Sequence, residues 1–201
     1  MGEQRERPNL EIHGIGTASG GTYNLIRIHG KATIDGDVVC TRLDVHGVVS
    51  VSGDLEADHV HVHGQSEIAG RLISTEVQLN GGLNVGGDCS AESFRGHGVF
   101  QIDGLLNAEH IEVKIHGPSR AKEIGGQSIE IRGERRSPLG RWKKLRVDTV
   151  EGDDVRLEST QARVVRGNRV FVGRGCDVEG VEYRVDFQST EGSAVHAEQK
   201  L

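Results

Sequence analysis

Hydrophobic and polar residues alternate along this chain in short bursts, with no helical period. Ile26-Arg27-Ile28, Leu43-Asp44-Val45, Val60-His61-Val62 and Val77-Gln78-Leu79 each place apolar side chains two positions apart. Successive strand side chains point to opposite faces, so this spacing predicts short strands with one buried face. The bursts recur at a fixed interval. From Asn24 to Ala108 the chain divides without gaps into five blocks of 17 residues: NLIRIHGKATIDGDVVC, TRLDVHGVVSVSGDLEA, DHVHVHGQSEIAGRLIS, TEVQLNGGLNVGGDCSA and ESFRGHGVFQIDGLLNA.

Glycine occupies the seventh position of every block, from Gly30 to Gly98, and the thirteenth, from Gly36 to Gly104. Glycine supplies a positive φ where a chain must turn a corner. Three short strands and glycine corners per block make one coil of a parallel β-helix. A single coil cannot bury its apolar face, so the coils must stack. The pattern continues outward through Leu10-Glu11-Ile12, Ile111-Glu112-Val113, Ile129-Glu130-Ile131, Val155-Arg156-Leu157 and Val170-Phe171-Val172. About ten coils at roughly 4.8 Å each predict a rod on the order of 50 Å long.

The step from Ile129 to Val155 is 26 residues, nine more than one coil needs. The expected organisation is a polar tail at 1–8, coils at 9–133, a protruding basic loop at 134–146, further coils at 147–190 and a tail at 191–201. Composition then explains the core. The chain has 201 residues, 29 of them glycine, and only seven aromatics, so inward positions are aliphatic and narrow. Where the fifth block position shrinks to Gly96, Phe94 and Phe100 occupy neighbouring inward positions and refill the volume.

The opening run Gly14 to Tyr23 (GIGTASGGTY), the I-x-I-x-G-x-x-x-I-x-G-D unit at Ile26 to Asp37, and the run Glu151 to Tyr183 (EGDDVRLESTQARVVRGNRVFVGRGCDVEGVEY) carry a family likeness. Over residues 9 to 185 the chain resembles bactofilins, bacterial polymer-forming cytoskeletal proteins, in particular a Bacillus-type branch. The resemblance implies a right-handed parallel β-helix, filaments formed without nucleotide, and scaffold roles in cell shape or motility. It also implies self-association, with a paralogous bactofilin as a second partner. Many relatives carry an apolar N-terminal membrane-targeting stretch, which residues 1–8 lack.

Charge and cysteine usage fit that expectation. The net charge of −6 favours solubility and disfavours a globally nucleic-acid-binding surface. Cys40, Cys89 and Cys176 form no CxxC pair, as in a reduced cytoplasmic chain, and Cys89 falls in an inward column as a core filler. No run of 18 apolar residues is present, and the first eight residues read as neither a secretion signal nor a lipidation motif.

Candidate chemistry is sparse. His13, His29, His46, His63, His97 and His116 each precede a glycine, with Asn80 filling one gap, which predicts a histidine column along one corner. His59, His61 and His63 are the weak candidates for a metal ladder, because imidazole suits zinc, copper or nickel; water-facing corner residues are the expectation. Arg132 to Arg146 holds seven Lys/Arg against one Glu around the only tryptophan. Arg135, Arg136, Arg141, Trp142, Lys143 and Lys144 thus form a candidate docking loop, for anionic membrane at the inner face of the cell or for a protein partner; a monomeric module using this loop is the alternative to a filament.

No phosphate-binding loop, HExxH or GxSxG motif occurs, so the expectation is a protein without cofactor and without catalysis. Asp35, Asp37 and Asp54 read as turn formers. The ends of a solenoid leave backbone groups unpaired, and Leu10 and Ile12 at one end, with Tyr183, Val185 and Phe187 at the other, are the candidate polymer interface.

Overall fold

The alternation of buried and exposed side chains builds nine extended stretches: β1 (Leu10–Val51), β2 (Leu55–Ile68), β3 (Leu72–Val85), β4 (Cys89–Ile115), β5 (Ser119–Gly133), β6 (Leu145–Leu157), β7 (Thr160–Val172), β8 (Asp177–Ser189) and β9 (Ala194–Lys200). The computed structural model describes residues 7–133 and 144–201. These form one parallel sheet wound into a β-solenoid of about 9 turns, with a repeat of about 17 residues. The turn count is slightly below the ten expected from the pattern.

The register follows the blocks. Val45 pairs with Val62, Val62 with Leu79 and Leu79 with Gly96. Each inward residue therefore stacks on its equivalent in the next coil. Ile28, Val45, Val62 and Leu79 are fully buried in this way, as are Ile34, Val51, Ile68, Val85 and Ile102 to within a few per cent. Burial of each such side chain contributes about 1.5–3 kcal/mol. Phe94 and Phe100 are both fully buried and meet edge to face, with ring centroids 5.9 Å apart. The two rings occupy the coil in which Gly96 supplies no side chain.

One expectation changes in detail. The blocks do not break into three separate short strands; β1 runs unbroken through more than two coils. The glycine corner explains why. At Gly47 φ is +140°, and a Cβ built there would lie 2.0 Å from the carbonyl oxygen of Gly30. Only a residue without a side chain lets each coil bend while its backbone stays on the ladder.

The ladder also accommodates the long insertion. Ile129 pairs with Val155 and Ser119 with Leu145, so the coils before and after the insertion stack in register. Of the loop expected at 134–146, Leu145 and Arg146 belong to β6, and residues 134–143 lie outside the described residues. Residues 191–201, read from sequence as a tail, mostly enter the solenoid: β9 pairs with Asp177–Tyr183 of β8. That strand has one half-buried apolar residue, Val195, among exposed neighbours; so weak an alternation gives little sequence signal.

Candidate functional site: the end rungs and the outward rows

The first rung of the solenoid begins at Leu10. Leu10 is half-buried and Ile12 is buried to 9% exposure, both packed on the core, whereas Ile15 is 88% exposed. Tyr23 donates its hydroxyl to the Ser19 carbonyl at 2.8 Å, and the Asn9 side-chain oxygen accepts the Leu25 backbone N–H at 3.2 Å. The backbone groups of this rung face outward as on any edge strand.

At the opposite end the candidate interface residues differ in depth. Tyr183 lies one rung inside: its backbone pairs with Lys200, and its carbonyl accepts the Leu201 N–H at 2.8 Å. Its ring packs beside Phe187, centroids 5.5 Å apart. Val185 sits at a register shift between Gly167 and Arg169 and is 63% exposed. The apolar residues at this end are Val185 and Phe187 on β8, Val195 on β9 and Leu201 just after it; Val185 and Leu201 are exposed, Phe187 and Val195 are half-buried, and the Tyr183 ring packs against Phe187. Val195 and Leu201 carried too little alternation to be singled out from sequence.

The histidine column forms as the spacing requires. His13, His29, His46 and His63 stack with centroids 5.1, 5.0 and 5.2 Å apart and planes within 8°. Asn80 continues the row, with its amide nitrogen 3.3 Å from His63 Nε2. His97 and His116 meet edge to face at 6.0 Å instead, just after Gly96 interrupts the inward alternation.

His59, His61 and His63 do not converge. His63 belongs to the corner stack. His59 and His61 stand on the outward face of β2 with centroids 6.5 Å apart and ring planes at 64°. His59 Nδ1 lies 3.3 Å from Glu76, and His61 Nδ1 accepts from the Arg42 guanidinium at 2.9 Å. Partial burial and the Arg42 charge hold His61 below the ordinary histidine range, with Asp44 opposing weakly. Among the described residues no group of three His, Cys, Asp or Glu side chains is arranged to hold a metal ion.

The acidic corner residues act on the backbone. Asp37 Oδ1 accepts the Asp54 N–H, Asp54 Oδ1 the Arg71 N–H and Asp88 Oδ1 the Leu105 N–H, each at 2.8 Å. A Cβ at Gly70 would lie 2.1 Å from Asp54 Oδ1, so the thirteenth-position glycine makes room for the preceding coil's carboxylate. Asp35 is exposed and makes no such bond. The three cysteines are buried and unbonded to one another, and burial pushes the Cys40 and Cys89 thiols up to about 12 and Cys176 to about 11.

Arg135, Arg136, Arg141, Trp142 and Lys143 lie outside the described residues. Lys144 is half-buried and immediately precedes β6, and its carbonyl accepts the Ser119 N–H. Among the described residues no helix is long and apolar enough to cross a membrane.

The class defined by this geometry is a parallel β-solenoid with open end rungs and long outward side-chain rows. Two Bacillus subtilis (strain 168) proteins are similar to the chain. One is "Uncharacterized protein YhbE", 41% identical over 96% of this chain and 98% of that one; the other is "Uncharacterized protein YhbF", 39% identical over 48% of this chain and 42% of that one. The chain therefore belongs to the family of YhbE, and it spans less than half the length of YhbF. No family model matches, and no solved structure matches.

Proposed function

We propose that this protein is a cytoplasmic, nucleotide-independent, polymer-forming scaffold of the bactofilin kind, whose copies join end to end through the outer rungs of the solenoid. The observation that carries the reading is the pair of open edges. Ile15 at one end and Val185 and Leu201 at the other are among the most exposed large apolar residues described. Solenoids that remain monomeric close such edges with polar caps; β9 is polar but leaves Val185 and Leu201 exposed. Stacking a second copy there pairs the edge backbone and continues the aliphatic core.

The reading assigns the protein a mechanical role in cell shape or motility, with its own copies and a paralogue as partners. The rungs supply the assembly energy, so neither catalysis nor a cofactor is part of the proposal. Negative-stain microscopy of purified protein without nucleotide tests it: filaments of single-rod width support it, and discrete particles of 21.7 kDa contradict it in favour of a monomeric binding module.

A further inference from the structure

The inward columns of the solenoid change character on β9. Ile124, Val150, Val165 and Val181 stack through successive rungs, each buried to 1% exposure or less. The ladder partner of Val181 on β9 is Glu198, which is exposed. The neighbouring column of Val147, Ala162 and Val178 ends on Val195, the one half-buried side chain of β9.

A second copy stacked on β9 would therefore bury the Glu198 carboxylate at the head of a valine column. Burial of an unpaired charge is strongly unfavourable. Inward-pointing charges are one means by which edge strands avoid pairing with other chains. β8, one rung further in, has the opposite character. Val178 and Val181 are buried in the core, and Phe187 packs on it beside the Tyr183 ring. Its edge from Asp177 to Tyr183 already receives a parallel strand, namely β9, while Arg184 to Ser189 pair with no outer strand among the described residues. A copy that displaced β9 would meet one continuous rung carrying Val178, Val181 and Phe187.

β9 is lightly held. Beyond its backbone ladder, its one side-chain hydrogen bond to β8 among the described residues joins His196 Nε2 to Asp177 Oδ1 at 3.1 Å. These groups are 63% and 42% exposed, and such surface pairs contribute little. The segment joining β8 to β9 turns at Gly192, where φ is +88° and a Cβ would meet nothing within 4 Å. A strand with so few buried contacts opens locally at small cost.

We propose that the β8 rung is the surface that receives a second copy at this end, and that β9 is a gate that must leave it first. The inference rests on the axial reading above and supplies its control. Closed, β9 presents Glu198 and blocks stacking; open, it uncovers a rung that continues the aliphatic core. Only the open fraction is competent to assemble, so the apparent affinity of one copy for the next falls with that fraction.

The test uses the full chain. Gly180→Cys/Ala197→Cys joins two directly paired positions, whose separation of roughly 4.8 Å suits a disulfide. A Cβ at Gly180 has no neighbour closer than 3.9 Å, and the three native thiols are buried. The lowest concentration that yields polymers is read by sedimentation at high salt without nucleotide, for this variant oxidised and then in reductant. Intact mass reports closure of the disulfide, and the thermal midpoint reports the fold. Oxidation should raise that concentration by about tenfold or more, and reductant should restore it. Val195→Asp, which loosens β9, and Glu198→Val, which makes the closed rung stackable, should each lower it by about threefold or more.

Equal thresholds for the oxidised and reduced forms overturn the gate and leave the axial reading standing. A folded Val195→Asp protein that needs a higher concentration than the parent does the same. Should the disulfide fail to close, the two single variants give the reading: lower thresholds support the gate, and unchanged or raised ones contradict it. Absence of polymers from the parent and from both single variants contradicts the axial reading and the gate together.

Discussion

Asp54 holds the next coil twice: Oδ1 accepts the Arg71 backbone N–H at 2.8 Å, and Oδ2 accepts the Arg71 guanidinium at 2.8 Å. The backbone bond is the larger cause that holds the Asp54 carboxyl below the ordinary carboxylate range, and the guanidinium adds to it. A lowered folded pKa means that the stabilisation is present above the unfolded value of about 3.9 and is lost as pH falls through the folded value. Asp54→Ala should lower the thermal midpoint at pH 7, and the difference from the parent should shrink below about pH 3.9. A constant difference across that range contradicts this role.

His61 gives a pH dependence at the other end of the scale. Its ring is partly buried between Arg42 and His59, with Asp44 and Glu76 nearby, and its Nε2 is buried without a partner. The folded pKa lies below the unfolded one, so the contribution is complete above about pH 6.5 and is lost as pH falls through the folded value. His61→Gln should therefore retain more of its neutral-pH midpoint at pH 5 than the parent does. Equal losses in both proteins contradict the assignment.

The seventh-position glycines should tolerate no side chain. At Gly64 φ is +132° and a Cβ would lie 2.1 Å from the Gly47 carbonyl oxygen. Gly64→Ala should cost more than about 1 kcal/mol in chemical denaturation. Gly82, whose nearest neighbours to a Cβ are side-chain atoms at 3.6 Å or more, is the control: Gly82→Ala should change stability by less than about 0.5 kcal/mol.

The buried thiols should be inert. Cys89 is fully enclosed and Cys176 donates its thiol to the Leu157 carbonyl at 3.3 Å. At pH 8 the folded protein should react with a thiol reagent only at the rate of unfolding, and all three cysteines should label in denaturant. Fast labelling of any of them in the folded state contradicts the packing.

The repeat was legible because every coil repeats one physical demand. Ile28, Val45, Val62 and Leu79 must be apolar to stack, and Gly30, Gly47, Gly64 and Gly81 must be bare to turn. The column of His13, His29, His46 and His63 followed from the same register. What remained hidden depends on deviations from the period. β9 contributes almost no buried surface, so Val195 leaves no pattern. Tyr183 reads as terminal because the strand covering it is polar. The pairing of Arg120 with Arg146 crosses an insertion whose bounds the alternation does not mark. His59, His61 and His63 alternate perfectly in sequence, yet the corner at Gly64 puts His63 in a different row.

The central claim is axial assembly through the outer rungs. Sedimentation velocity of the parent and of Val185→Arg/Phe187→Arg, at high salt and without nucleotide, tests it most directly. The account predicts long polymers for the parent and short species near 21.7 kDa for a variant that keeps its far-ultraviolet spectrum. A parent that sediments as a monomer, or a folded variant that forms polymers as long as the parent's, would contradict it.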